Sequence, residues 1–103
     1  MTVHTNFIRF MQFDWDDGNS AKCEKHGLTR AGIEAFFPSE PRVAPDPLHS
    51  ATEQRFIAVD PMPDGRPAFV DFCWRGDKIR PVSARYMHDR EARRYENRPL
   101  NDH

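Results

Sequence analysis

The sequence has no long hydrophobic run. None of its apolar stretches approaches the roughly eighteen consecutive residues that a membrane-spanning helix needs. The first residues also lack the basic and then apolar pattern of a secretory signal segment. We therefore expect a cytoplasmic protein.

Cysteine is also scarce, with only Cys23 and Cys73, which lie fifty residues apart. Two distant cysteines do not make the disulfide framework of a small secreted domain, so we expect free thiols. Cys23 and His26 could bind zinc if His49 or Cys73 joined them. Structural zinc sites usually show closely spaced ligand pairs, however, and we interpret Cys23 and His26 as a half-buried thiol and a helix-end histidine.

Several familiar catalytic motifs are missing: a phosphate-binding glycine loop, a paired CxxC, HExxH and G-x-S-x-G. The acidic residues Asp14, Asp16 and Asp17 could bind Mg²⁺, but helix capping and solvation explain them more simply. We predict neither a metal nor a cofactor.

Positive charge is concentrated late in the chain, although the net charge is only -1. Residues 1–74 carry 7 basic and 11 acidic side chains, whereas residues 75–98 carry 8 basic and 4 acidic ones. The late segment is therefore where a polyanion would be held.

Length and composition predict one globular domain over residues 1–103, with eight Phe and two Trp available for its core. Imperfect alternation predicts an opening strand over residues 6–16. A helix should follow, with Asp16 or Asp17 as N-cap and Gly27 at its end, and then a second helix from Thr29 to Pro38. The proline-rich residues 38–50 should form an extended loop.

The second half of the chain predicts three antiparallel strands and a helix. The strands are "EQRFIAVD", "AFVDFCW" and "IRPVSARY", joined by turns at Asp64-Gly65 and Gly76-Asp77, and "HDREARRYEN" is the helix. Pro81 within the third strand indicates an edge position or a β-bulge. The expected fold is α+β, with two N-terminal helices packed on an antiparallel sheet and a C-terminal helix.

The basic side chains of the last two strands suggest an RNA surface. Arg75, Lys78, Arg80 and Arg85 lie in or beside the hairpin, and Trp74 and Tyr86 lie nearby to stack on bases. Arginines of the last helix, in contrast, are typical of a solvated face.

Four motifs in order resemble the BrnT family of bacterial type II toxins: "FDWD", "KHG", "DPLHSATEQRF" and "GDKIRPVSARYMHDREARRYE". The resemblance runs from about Phe13 to Glu96. It implies a relative of RelE-type ribonucleases that cleaves RNA without a metal. It also implies neutralisation by a BrnA-like ribbon–helix–helix antitoxin, with DNA contacted only through that antitoxin.

The resemblance also implies site residues. It covers Trp15, Asp16, Gly27, Asp46, His49, Ser50, Gly76, Asp77, Ser83, Ala84 and Glu91, besides an expected catalytic set of Lys25, His26, Glu53, Arg55, Arg80 and Arg85. We expect Arg75, Lys78 and Tyr86 to contact RNA. The chain departs from the family pattern at Asn19, where a lysine is usual, and at Cys23, His88 and Pro81. These departures leave open an alternative, a catalytically degenerate module that binds RNA or the antitoxin.

The spacing of Arg80 and Arg85 makes a geometric prediction. In a regular strand the two side chains would point to opposite faces. One extra residue at a bulge near Pro81 would return them to one face. We predict that they then converge with Lys25 or His26 to form a phosphate site.

Overall fold

The computed structural model describes residues 11–97 of the chain, and these residues form an α+β fold. None of the described helices is long and apolar enough to cross a membrane. The helices are α1 (Asp17–Glu24), α2 (Arg30–Phe36) and α3 (Asp89–Glu96), the strands are β1 (Arg42–Pro45), β2 (Phe56–Pro61), β3 (Pro67–Arg75) and β4 (Lys78–Tyr86), and two short 3₁₀ helices span Phe37–Ser39 and Pro47–His49.

Side-chain caps define where the first two helices begin, as the sequence predicts. The Asp16 carboxylate accepts a hydrogen bond from the Asn19 backbone amide at 3.0 Å, and the Asn19 side chain accepts one from the Asp16 amide at 2.7 Å. Thr29 Oγ1 accepts from the Gly32 amide at 3.0 Å. Gly27 has φ +92°, the left-handed conformation expected after a helix, but α1 already ends at Glu24.

The sheet is antiparallel with strand order β1-β2-β3-β4. Our prediction of an extended loop over residues 38–50 is wrong for residues 42–45, because β1 pairs with β2 from Arg42↔Val59 to Pro45↔Phe56. An edge strand tolerates proline, because an amide hydrogen on its outer side would point to solvent and make no hydrogen bond within the sheet. All four β1 residues are exposed, so no buried alternation marks the strand in the sequence.

The predicted opening strand is reduced, among the described residues, to one parallel bridge between Phe13 and Ile79. Residues 6–10 of that prediction lie outside the described part of the chain. The bridge nevertheless places residues 12–14 beside β4, through hydrogen bonds from the Asp14 amide to the Ile79 carbonyl and from the Ile79 amide to the Gln12 carbonyl, at 2.8 and 3.0 Å.

The two faces of the sheet have different chemistry. Alternate β3 residues Ala68, Val70 and Phe72 are buried against α1 and α2, together with Ile33 and Phe36. On the other side of β3 lie Phe69, Asp71, Cys73 and Arg75, and we call this side the charged face. Here the polar residues of the neighbouring strands can meet.

A β-bulge in β4 decides which arginines reach the charged face. Asp71 pairs with Ser83 whereas Phe72 pairs with Pro81, so Val82 is the extra residue. Arg80 pairs with Cys73 and Arg85 with Phe69. Because paired residues point to the same side and their partners are four residues apart, Arg80 and Arg85 share the charged face. The predicted irregularity near Pro81 is confirmed.

Candidate ribonuclease site

A cavity of about 370 Å³ opens where the charged face meets the turn after α1 and the 3₁₀ helix Pro47–His49. Its volume falls in the range of about 300–1,000 Å³ that is usual for small-ligand sites. Its polar lining comes from four separate parts of the chain: His26, Asp46 with His49, Asp71, and Ser83 with Arg85.

Arg85 is the cation of the cavity, and Glu91 holds its guanidinium in place. Nη1 and Nη2 each donate to one Glu91 carboxylate oxygen at 2.9 Å, and the guanidinium carbon lies 4.7 Å from the centre of the Phe69 ring. Glu91 also accepts from the His88 amide at 2.9 Å, at the N-terminus of α3. Arg85, and then the His88 amide, lowers the pKa of Glu91 to about 2. The pair therefore stays ionised at neutral pH.

Opposite the arginine, two carboxyl groups and an imidazole lie together. The Asp46 carboxylate is 2.8 Å from Nδ1 of His49, and Asp46 also shares a hydrogen bond with Asp71. Burial, and then the neighbouring Asp46, raises the pKa of Asp71 to about 7. Its hydrogen bonds with Asp71 and His49 lower the pKa of Asp46. These opposite directions describe two carboxyl groups that share one proton, with the negative charge on Asp46.

Arg55 forms a long ion pair with Asp71 that includes no hydrogen bond. Its Nη1 lies 3.8 Å from Asp71 Oδ1, which is too far for a hydrogen bond. Asp71 Oδ1 and Arg55 Nε are both buried, and neither has a hydrogen-bond partner. A proton on Asp71 relieves the cost of leaving this carboxylate buried and incompletely paired.

A second charged group occupies the far end of the charged face, outside the cavity. Glu53 forms a short ion pair with Arg75, whose guanidinium also donates to Cys73 Sγ at 3.2 Å. Arg75 lowers the pKa of Glu53, while burial raises the pKa of the Cys73 thiol. Glu53 is therefore ionised at neutral pH and poorly suited to donate a proton.

Arg80 shares the charged face but does not line the cavity. It forms ion pairs with Asp16 at 2.9 Å and Asp14 at 3.6 Å. The convergence expected for both arginines is therefore found for Arg85, which lines the cavity with His26, and not for Arg80. The same pairing occupies two of the three acidic residues that were considered for Mg²⁺.

The two aromatic residues expected to stack on bases, Tyr86 and Trp74, lie on the face of the sheet opposite Arg85. Tyr86 pairs with the core residue Ala68, so its ring lies on the face opposite Arg85. Its hydroxyl donates to Asp64 at 2.9 Å, and the guanidinium of Arg66 covers the ring at 3.7 Å. Trp74 also pairs on that opposite side and is 48% exposed, whereas Lys25 and Lys78 are exposed to solvent.

Asp46, His49 and Asp71 are the only three side chains within residues 11–97 whose potential ligand atoms lie close enough, within 4.8 Å, to hold one cation. Cys23 is completely buried and does not belong to this group. The imidazole and the two carboxyl groups already make hydrogen bonds to one another, an arrangement that serves proton sharing as well as it serves a cation.

Sequence reasoning placed none of these three residues in the expected catalytic set. Asp46 and His49 belong to the motif "DPLHS", which carries part of the resemblance to the family, and His49 was otherwise considered only as a zinc ligand. One signal in the sequence pointed to Asp71, which stands between Val70 and Phe72 in an apolar strand. Burying a carboxylate there costs free energy unless it is paired or hydrogen-bonded, so its presence indicates a specific role.

The sequence matches the family model for the ribonuclease toxin BrnT of type II toxin–antitoxin systems over residues 15–91. The chain belongs to the BrnT family. Comparison with curated proteins gives no match. As a BrnT-family ribonuclease toxin, the chain has RNA as its substrate and an antitoxin as its partner. The matched segment includes both the turn after α1 and the bulged strand, so the cavity lies within the family region.

Proposed function

We propose that this BrnT-family toxin cleaves RNA at the cavity without a metal. The observation that carries the proposal is the position of Arg85 and His26 on one cavity next to a group of proton-sharing side chains. Metal-free cleavage needs a cation for the phosphate, a base for the ribose 2′-OH and an acid for the leaving 5′-oxygen. Arg85 supplies the fork that fits phosphate oxygens, and His26 supplies one proton-transfer group.

The remaining expected residues have supporting positions along the charged face. Arg75, Lys78 and Arg80 lie on the charged face, and Arg55 lies 3.8 Å from Asp71 of that face. We propose these residues, with Lys25, as contacts to the RNA backbone rather than as proton-transfer groups. Glu53 then positions Arg75 through their ion pair.

The test is incubation of the purified chain with bulk bacterial RNA in excess EDTA. The proposal expects fragments that end in a 2′,3′-cyclic phosphate at the same rate with and without EDTA. Arg90→Ala should cleave RNA at the rate of the parent chain, because Arg90 is an exposed arginine of α3 that does not line the cavity. Cleavage that disappears in EDTA and returns with added Mg²⁺ would overturn the metal-free mechanism.

The Glu91 pairing supports a second candidate, a module that holds RNA or antitoxin without cutting. A guanidinium whose two outer nitrogens both donate to a carboxylate has fewer donors and less uncompensated charge to offer a phosphate. Glu91→Gln separates the candidates, because the amide oxygen still accepts from the His88 amide while the negative charge is removed. A variant that cleaves while the parent only retains RNA favours Glu91 as a block on Arg85. Retention without cleavage by both proteins favours the binding module.

We propose a BrnA-type ribbon–helix–helix antitoxin as the partner and the cytoplasm as the location. The toxin family requires an antitoxin, and the arginines of the charged face suit an acidic or amphipathic segment of another chain. Expression of this chain alone should arrest bacterial growth, and co-expression of a short ribbon–helix–helix protein encoded beside it should restore growth. A neighbouring gene of a different class that restores growth would exclude the BrnA type.

A further inference from the structure

We propose that His49 is a catalytic residue of this ribonuclease, the general base for the ribose 2′-OH, and that Asp46 and Asp71 are its positioning residues. This inference rests on the proposed function and assigns chemistry to three side chains outside the expected catalytic set. His49 is suited to the role because its side chain is 64% exposed at the cavity, whereas that of Asp46 is only 11% exposed. The imidazole can therefore reach RNA while its carboxylate partner stays inside.

Asp46 fixes both the orientation and the tautomer of the ring. Its carboxylate accepts Nδ1–H of His49 at 2.8 Å, so Nε2 is the nitrogen left to act as a base. Asp46 is itself held by the 3₁₀ helix Pro47–His49: its carbonyl accepts from the Ser50 hydroxyl at 2.7 Å and from the His49 amide at 3.3 Å. The base is thus carried on a short segment that is anchored at both ends.

Asp71 sets the charge that Asp46 presents. A protonated Asp71 donates to Asp46 and leaves one negative charge beside the imidazole, which stabilises the imidazolium formed during catalysis. Burial raises the pKa of Asp71 to about 7, so this protonated state exists near neutral pH. The titratable and charged groups that face Asp71 come from four parts of the chain and are Asp46, His49, Arg55, His26 and Arg85.

The reaction balances with the groups present. The 2′-oxygen forms a bond to phosphorus while Nε2 of His49 takes its proton, and the bond from phosphorus to the 5′-oxygen breaks. The leaving 5′-oxygen takes a proton from the His26 imidazolium, which lines the same cavity, and Arg85 neutralises the additional charge on the phosphate oxygens. No oxidant, reductant or additional reactant is required.

The first experiment compares cleavage of bulk RNA in EDTA by the parent chain, His49→Ala and a matched control. General acid–base catalysis contributes about 10²- to 10⁴-fold, so kcat of His49→Ala should fall by that factor while RNA retention on filters is unchanged. His88→Ala is the control, because His88 also lies three residues from a carboxylate, at 3.7 Å, but does not line the cavity. Equal rates for the parent and His49→Ala would overturn the inference and leave the proposed function intact.

The pH profile distinguishes positioning from a merely structural role. Asp46→Asn removes the charge that favours the imidazolium, so the acid limb of kcat/KM should move to lower pH. Asp71→Asn keeps a donor to Asp46 but cannot lose a proton, so the inflection that Asp71 contributes to the kcat/KM profile near pH 7 should be absent from this variant. Variants that lower the rate equally at every pH would contradict these roles. Loss of activity in EDTA with rescue by Mn²⁺ would assign the three side chains to a cation instead.

A measurement independent of turnover keeps the inference testable if the parent chain cleaves nothing. Nitrogen-15 resonances should show the neutral His49 ring as the Nδ1–H tautomer, because the Asp46 carboxylate accepts from Nδ1. Uridine 3′-monophosphate should shift the His49 resonances and leave those of His88 in place. A neutral His49 ring protonated at Nε2, or no response to the nucleotide, would overturn the inference whatever the cleavage assay shows.

Discussion

The Arg85 guanidinium forms an ion pair with Glu91, and in the proposed reaction it also binds the phosphate of the substrate. Its ion pair with Glu91 is partly exposed, with 39% of the arginine side chain and 33% of the glutamate side chain accessible to solvent. Pairs of this kind contribute about 0.2–1 kcal/mol to the free energy of unfolding. A guanidinium that contacts a transition state contributes more, because its charge is matched to charge that develops only there.

We therefore predict that Arg85→Ala separates activity from stability. Cleavage should fall roughly 10²- to 10³-fold, equivalent to about 2.7–4 kcal/mol of transition-state binding, while the free energy of unfolding falls by less than about 1 kcal/mol. Arg85→Lys keeps the charge but loses the fork and should recover only part of the rate. Single-turnover cleavage and urea unfolding measure the two effects. Full activity in Arg85→Ala would remove this residue from the site.

Asn19 has a structural task in this chain. It is 4% exposed, and its amide nitrogen donates to the Pro81 carbonyl at 2.7 Å and to the Asp14 carbonyl at 3.0 Å, while its oxygen accepts from the Asp16 amide. The side chain thus joins the start of α1, the segment beside β4 and the β-bulge. Its place where family members usually have a lysine does not by itself remove a group from the cavity, because Asn19 does not line it.

We predict that Asn19→Ala destabilises the fold and leaves the cavity chemistry unchanged. Three hydrogen bonds at about 1 kcal/mol each, one of them to a buried carbonyl left without a donor, give a loss of about 2–4 kcal/mol. Urea unfolding monitored by tryptophan fluorescence measures the loss, and the exposed Asn97→Ala should change stability by less than about 0.5 kcal/mol. A rate per folded molecule that drops with the stability would show that Asn19 also serves the site.

At the scale of elements, the sequence predicts the helices and strands that are marked by hydrophobic periodicity or by capping, glycine and proline residues. Asp16, Thr29 and Gly27 mark the first two helices, and Pro81 marks the bulge that sets the face of Arg85. The sequence did not predict β1, because its four residues are exposed and because prolines such as Pro41 and Pro45 are typical of a loop.

The site was predictable only in part, because side-chain partners are a property of the folded molecule. Arg85 and His26 were expected to meet and do line one cavity. Nothing in the local sequence indicates that Arg80 pairs with Asp14 and Asp16, or that Asp46 reaches Asp71 across the charged face.

Helix α3 depends on tertiary contacts for its existence. It has eight residues, none of them buried, and isolated helices shorter than about 12–15 residues are marginal in water. Tyr95 holds it to the sheet through a short hydrogen bond from its hydroxyl to Asp60, and the Arg42 guanidinium lies 4.5 Å from the centre of its ring. Glu91 holds it a second time, through Arg85.

We predict that Tyr95→Ala releases α3 while the sheet remains folded. The amides of α3 should lose most of their protection from hydrogen exchange, because local opening then breaks only the contact with Arg85. Amides of β3 should exchange as in the parent chain. Arg94→Ala, at an exposed position of the same helix, is the control and should leave both regions protected. Cooperative loss of protection in the sheet as well would mean that α3 is integral to the core.

Within residues 11–97, two carboxyl groups have strongly shifted pKa values, and they should give the stability of the molecule opposing pH dependences. The folded pKa of Asp71 is raised from 3.8 to about 7, so the folded state binds more protons between these values. Its contribution is fully present below about pH 4 and is lost as pH rises through 7. The folded pKa of Glu91 is lowered from 4.5 to about 2, so its contribution is present above 4.5 and is lost as pH falls toward 2.

We therefore predict a maximum in the free energy of unfolding near pH 4.5–5, with a decline on each side. The acid decline should be steepened by Asp16, Asp46, Glu53 and Asp64, because hydrogen bonds in the folded state lower the pKa of each.

Asp71→Asn should remove most of the decline between pH 5 and 8 and make the protein more stable than the parent at pH 8, because the buried amide never ionises. Glu91→Gln should instead flatten the acid side and leave the neutral side unchanged. Urea unfolding from pH 3 to 9 measures all three proteins, and an alkaline decline that persists in Asp71→Asn would show that the shared proton belongs to another group.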